Sequence, residues 1–175
     1  MDVTSLRSYI RDVPDFPKAG IVFKDITPLL RHAEAFDTAI RELTERYADQ
    51  RITQVAAIES RGFIFGSAVA RSLGAGFIPI RKPGKLPWTK RRNEYILEYG
   101  SDALEIHDDA IEPSDRVLII DDLLATGGTA LAASTLVREF DATLIGVGVV
   151  IELVFLNGRE KLGGATPVQS LIRYV

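Results

Sequence analysis

Val117-Leu118-Ile119-Ile120-Asp121-Asp122-Leu123-Leu124-Ala125-Thr126-Gly127-Gly128-Thr129 is the stretch on which the reading of this chain turns. Four apolar, largely β-branched residues in a row predict a strand buried on both faces, as in a parallel sheet. Two carboxylates follow where such a strand emerges, and open α/β sheets bind ligands just beyond their strand ends. A loop with paired glycines comes next, then Ala133, Leu136, Val137 and Phe140 at the spacing of one apolar helix face. A glycine-rich turn feeding a helix presents unpaired N–H groups and a partial positive charge, which suits a phosphate. Thr126 and Thr129 add hydroxyl donors. Carboxylates beside that cradle would repel a bare polyphosphate, whereas the hydroxyls of a ribose donate to them and a divalent cation screens them. A ribose 5-phosphate meets both demands, with its hydroxyls on Asp121 and Asp122 and its phosphate on residues 125–129. No Lys follows the second glycine and G-x-G-x-x-G is absent, so the stretch is neither a P-loop nor a dinucleotide fingerprint. The alternative reading is an ordinary strand–turn–helix with a solvated Asp pair.

The chain around this stretch has 175 residues, suited to a single domain over 1–175 with a full core. Its apolar and charged fractions, 46% and 26%, are those of an ordinary globular protein. It has no cysteine, which excludes disulfides, thiolate metal sites and a Cys nucleophile. Met1-Asp2-Val3-Thr4-Ser5-Leu6-Arg7 lacks a basic flank followed by an apolar run, and no apolar stretch is long enough to span a bilayer. A cytoplasmic protein with no membrane partner is expected. The net charge of −3 argues against a nucleic-acid protein. The charge is unevenly placed, however. Residues 81–92 carry six positives and no acid, and residues 101–115 carry six acids and no Lys or Arg.

Elsewhere, residues 4–11 predict a short helix with Thr4 or Ser5 as N-cap. The Pro- and Gly-punctuated residues 12–20 read as a surface connection. On pattern alone, Ile21-Val22-Phe23 is a core plug or an edge strand. Phe36, Ile40, Leu43 and Tyr47 mark an amphipathic helix over 33–48. Val55-Ala56-Ala57-Ile58 is a second buried strand, ending in Glu59-Ser60-Arg61-Gly62 ahead of a helix that stops at Gly74. Phe77-Ile78-Pro79-Ile80 is a third, leading into a long basic, Pro-containing connection before a strand pattern resumes at Tyr95. Residues 144–151 form the last long buried strand, and residues 168–174 an edge strand. His32 and His107 sit apart in polar surroundings and read as surface residues. Strands alternating with helices imply an α/β domain with a mainly parallel sheet flanked by helices.

The central stretch resembles the phosphoribosyl-diphosphate signature of type I phosphoribosyltransferases, in the form found in adenine-specific members, and the similarity runs along nearly the whole chain. That resemblance implies transfer of a phosphoribosyl group from phosphoribosyl diphosphate to adenine, giving AMP and pyrophosphate. It implies the type I fold with a base-binding hood over about residues 1–30 and a mobile lid over 81–100. In the hood, the backbone of Ile21, Val22, Phe23, Lys24 and Asp25 reads the adenine edge and Phe23 stacks on the ring, with Leu123 on the base as well. Lys24 stands where many family members have Arg. Glu59, Ser60 and Arg61 form a pyrophosphate loop, joined by Arg81, Lys82 and Lys85 of the lid. Glu98, at the lid's returning end beside Tyr99, manages the adenine proton. Residues 88–93 depart from the family pattern and receive no contact. Mg2+ is held mainly by the substrate rather than by direct protein ligation, and a homodimer is expected.

Two rival readings keep the fold. One is a phosphoribosyltransferase for another purine (hypoxanthine, guanine or xanthine). The hood and Leu97-Glu98-Tyr99-Gly100 favour adenine. The other is a non-catalytic regulator that senses phosphoribosyl diphosphate. Such proteins usually append a DNA-binding domain, for which no room is expected here, and a sensor has no need of Glu98.

Overall fold

The structure, a computed structural model, describes residues 1–96 and 101–175. It divides into two units, residues 1–42 and 43–175.

The first unit opens with a 3-10 helix, Val3–Tyr9, that buries Leu6. Neither Thr4 nor Ser5 caps it. Asp2 precedes the helix, and Thr4 Oγ1 donates to its carboxylate at 2.7 Å. β1 (Arg11–Pro14) pairs antiparallel with β2 (Val22–Asp25), with Val13 opposite Phe23. Part of the expected surface connection is therefore a strand. α1 (Thr27–Arg31) starts on Pro28, whose missing N–H has no intrahelical acceptor at that position anyway. The Asp25 carboxylate accepts from the Thr27 amide at 2.9 Å, and that bond first of all holds its pKa below the ordinary value. α2 (Ala33–Glu45) follows, with Ala35, Ala39 and Ile40 buried, and the boundary between the units falls near its end.

The second unit contains β3 (Gln54–Ile58), α3 (Arg61–Leu73), β4 (Gly76–Ile80), β5 (Lys90–Ile96), β6 (Ser101–His107), β7 (Arg116–Leu124), α4 (Gly128–Arg138), β8 (Thr143–Leu153), α5 (Gly158–Lys161) and β9 (Val168–Tyr174). Its five-stranded sheet has the order β4-β3-β7-β8-β9, and every neighbouring pair is parallel. Val117, Leu118, Ile119 and Ile120 are completely buried, each worth about 1.5–3 kcal/mol of apolar burial. β7 does not stop at Ile120. It keeps pairing with β8 through Leu124, so both acidic residues belong to its C-terminal end. The chain runs outward from β3 to β4, then from β7 the other way to β8 and β9. That reversal puts a crevice between the C-terminal ends of β3 and β7, where such sheets bind ligands.

β5 and β6 form a separate antiparallel hairpin. The sequence reading took residues up to 94 for a polar connection, whereas the strand begins at Lys90. Two of its charged residues find partners outside the strand. The Arg91 guanidinium lies 3.9 Å from the Phe140 ring centroid and donates to the Glu139 carbonyl. Lys90 pairs at 3.3 Å with Glu105, whose carboxylate is buried. Long amphipathic side chains thus hid a strand behind a run of charge.

Candidate active site

A cleft of about 450 Å3 opens at the β3/β7 crevice. Between β3 and α3 it takes Glu59 and Ser60, from the start of α3 Arg61, and from the end of β7 Asp121, Asp122 and Leu123. Ala125, Thr126, Gly127, Gly128 and Thr129 form its floor, and Lys82 reaches it from beyond β4. α3 and α4 both begin at this cleft, and neither N-cap residue, Ser60 or Gly127, supplies a side-chain cap. No side chain caps their first-turn N–H groups, although the Phe63 amide donates to the Ser60 carbonyl at 3.2 Å, and two helix dipoles favour negative charge there. Gly127 holds φ +80°, a left-handed value that penalises a Cβ. A Cβ there would also run into the backbone of Gly158, whose Cα lies 3.0 Å from the position it would take.

The acidic pair carries the opposite charge. Asp122 is 5% exposed, and its Oδ2 lies 2.7 Å from Arg61 Nε. Asp121 Oδ1 accepts the Asp122 amide at 2.9 Å and packs against Gly62, where a Cβ would sit 2.8 Å from it. Burial pushes the Asp121 carboxyl well above its ordinary value, and the neighbouring Asp122 charge pushes the same way. Burial raises Asp122 as well, with Arg61 opposing it. Two carboxylates held partly out of water gain from any hydroxyl donor or cation that enters the cleft.

The remaining predicted residues divide. Glu59 lines the cleft, but its carboxylate is occupied by Arg81 Nη2 at 3.2 Å and by the Lys82 amide. Arg81 is turned to Glu59 and to the Lys85 carbonyl, 3.3 Å away, and does not line the cleft. Lys85 is exposed. The Lys82 ammonium is paired with Asp102 and lies 3.2 Å from the Tyr95 hydroxyl. Burial works against its charge, yet the hydrogen bonds to Asp102 and Tyr95 carry its pKa above the ordinary value. Within the first unit, Ile21 and Val22 are exposed, and Phe23 meets Phe16 edge-on at 5.2 Å between centroids. Lys24 Nζ pairs with Asp12 at 2.6 Å, and Asp25 with Arg11 at 3.1 Å. Glu98 lies outside the described residues.

Sequence reasoning missed Tyr95 and Asp102. Tyr95 accepts from Thr129 Oγ1 at 3.3 Å and lies 3.2 Å from Asp102, joining the hairpin to the first turn of α4. The alternation in β5 was the available signal, obscured by its charges. It also missed Gly158, flagged only by the turn-forming dipeptide Asn157-Gly158.

Known proteins share this fold. Residues 25–167 match the family described as Phosphoribosyl transferase domain. The chain is 55% identical to the adenine phosphoribosyltransferase of Anaeromyxobacter dehalogenans strain 2CP-1, over 97% of this chain and 98% of that one. It superposes on the crystal structure of adenine phosphoribosyltransferase from Rhodothermus marinus with TM-score 0.94 at 50% identity, covering 98% of each. The Saccharomyces cerevisiae adenine phosphoribosyltransferase, crystallised with D-2,5-dideoxy-2,5-imino-altritol 1,6-bisphosphate and adenine, matches with TM-score 0.91 at 41% identity over 97% of each chain.

Proposed function

The chain belongs to the adenine phosphoribosyltransferases of the phosphoribosyl transferase domain family, and on that premise we propose the reaction it carries out. It transfers the 5-phosphoribosyl group from phosphoribosyl diphosphate to adenine, releasing pyrophosphate and forming AMP, a purine-salvage step. The observation that carries this reading is the meeting of the 125–129 loop, the acidic pair Asp121–Asp122 and Arg61 in one cleft.

The residues divide the work. The N–H groups of 126–129 take the 5-phosphate, and the Thr126 and Thr129 hydroxyls add donors. Asp121 and Asp122 accept from the ribose hydroxyls and orient the anomeric carbon for in-line attack. Positive charge that grows on the ribose as pyrophosphate departs is stabilised by these carboxylates, so their burial strengthens the effect. Ser60, Arg61 and Lys82 receive the departing pyrophosphate, with Glu59 holding the Arg81–Lys82 segment and Lys85 arriving from solvent. The family resemblance assigns residues 21–25 to the adenine edge with Phe23 stacking on the ring, and likewise Leu123 to the base and Glu98 to its proton. Among the described residues β2 pairs on one side only, with β1, which leaves its other edge of N–H and C=O groups for that reading.

Mg2+ fits this cleft. Asp121 and Asp122 line it with carboxylate oxygens, donors that suit a hard cation. The ion would be held mainly by the phosphates of the substrate rather than by direct protein ligation, and once bound it would neutralise charge on the leaving group. The enzyme works as a cytoplasmic homodimer on small molecules. No helix among the described residues is long and apolar enough to cross a membrane.

The test is pyrophosphate release from phosphoribosyl diphosphate with adenine, hypoxanthine, guanine, xanthine or no base. Adenine alone should support it. Release with another purine in preference to adenine would reassign the base, and binding without release under every condition would make the chain a sensor.

A further inference from the structure

Gly127 and Gly158 meet backbone to backbone. A Cβ on Gly158 would fall against the Ala125 carbonyl and 2.9 Å from the Gly127 nitrogen. The segment that brings Gly158 there is clamped in turn. Glu152, buried at the end of β8, lies opposite Leu124, the residue just before the loop. Arg159 grips it with a fork, Nε to Oε1 at 2.9 Å and Nη2 to Oε2 at 2.7 Å. Its third nitrogen, Nη1, donates to the Val168 carbonyl at 2.7 Å. Ser170 Oγ donates to the same Glu152 carboxylate at 2.6 Å. Asn157, at φ 53°, turns the chain so that Arg159 folds back on Glu152 while Gly158 faces the loop.

We propose that Gly158 and Arg159 are positioning residues of this enzyme: the Glu152–Arg159 clamp seats the Gly158 backbone against residues 125–127 and so fixes the amides that bind the 5-phosphate. Gly127 gives the loop freedom to adopt several shapes, and the Gly158 backbone removes that freedom from behind. Preorganised donors bind a phosphate without first having to be ordered. The proposal rests on the assignment of residues 125–129 as the 5-phosphate cradle.

Gly158→Ala separates this role from ordinary stability. Gly158 is not among the residues with positive φ and stands at the first position of α5, so alanine meets no φ penalty and is the better helix former; what its Cβ meets is the Ala125 carbonyl and the Gly127 nitrogen. Local propensity alone therefore calls for an unchanged or higher melting temperature. The proposal calls for a weakened ribose 5-phosphate complex by calorimetry, about tenfold or more, the scale of an ångström-sized misplacement. The KM for phosphoribosyl diphosphate should rise alongside, with the KM for adenine nearly unchanged. Arg159→Lys keeps the charge and loses the fork; read in the same way, it should weaken the same ligand, and it decides the matter if Gly158→Ala fails to fold. Wild-type affinity for ribose 5-phosphate in a folded variant overturns the proposal, as does an equal rise of both KM values. Failure of the wild-type protein itself to bind ribose 5-phosphate would instead remove the cradle assignment, and the proposal with it.

Discussion

Thr129 Oγ1 donates a hydrogen bond to the Tyr95 hydroxyl across 3.3 Å. The bond ties the first turn of α4 to the hairpin strand β5, and Asp102 on the paired strand holds Lys82. Tyr95→Phe deletes the shared hydroxyl and leaves the ring. Urea denaturation should show a loss of about 0.5–1.5 kcal/mol, the usual net worth of such a bond. The KM for phosphoribosyl diphosphate should rise with it. Unchanged values of both would reduce Tyr95 to a packing ring.

Asp121→Asn should make the free protein more stable near neutral pH and the enzyme slower. The folded-state pKa of Asp121 is raised from 3.8, so the folded chain binds its proton more tightly than the unfolded one does. Stability contributed by this group is therefore present at low pH and declines as pH climbs from about 4 through the raised value. The melting-temperature gain of the variant over wild type should be largest near pH 7 and shrink toward pH 4. Transition-state stabilisation should drop by about 1.5–3 kcal/mol, the range for a lost charged hydrogen bond. A variant less stable than wild type at neutral pH would show that Asp121 is comfortably ionised in the fold.

Phe23→Ala tests the hood. The strand that carries Phe23 exposes Val22 and pairs only with β1 among the described residues. Steady-state kinetics should give a KM for adenine raised far more than that for phosphoribosyl diphosphate. Matching increases would make Phe23 a structural ring.

Glu98→Gln preserves size and hydrogen bonding while removing proton transfer. The expected fall in kcat is about 10²–10⁴-fold, the usual contribution of general acid–base catalysis. Ribose 5-phosphate affinity should stay put. Wild-type kcat under conditions where chemistry limits turnover would strip Glu98 of its role.

The parallel sheet and the glycine-containing loop at 125–129 were readable from Val117 to Thr129 because apolar runs and paired glycines are local signals. The hairpin was not, because Lys90 and Arg91 look solvated until Glu105 and Phe140 are brought beside them. β1 was hidden for a similar reason: its only partner among the described residues, β2, lies across a Pro- and Gly-rich turn, and the strand exposes Arg11 and Asp12. Within the cleft, Asp121 and Asp122 stood out by position. Tyr95 and Gly158 did not, since each acts on the loop from more than a turn or strand away and no spacing rule predicts such contacts.

The sheet order has a consequence for the timing of synthesis. β3 pairs with β7, and β8 with β9, so the cleft draws on stretches made at different moments. The loop at 125–129 emerges from the ribosome before Gly158 and Arg159, and before the strand that supplies the Val168 carbonyl and Ser170. Chains grow from the N-terminus, and contacts between distant residues form late. A nascent chain stalled after α4 therefore holds residues 125–129 without the Gly158 backbone against them. The packing behind that loop is complete only once β9 has joined β8.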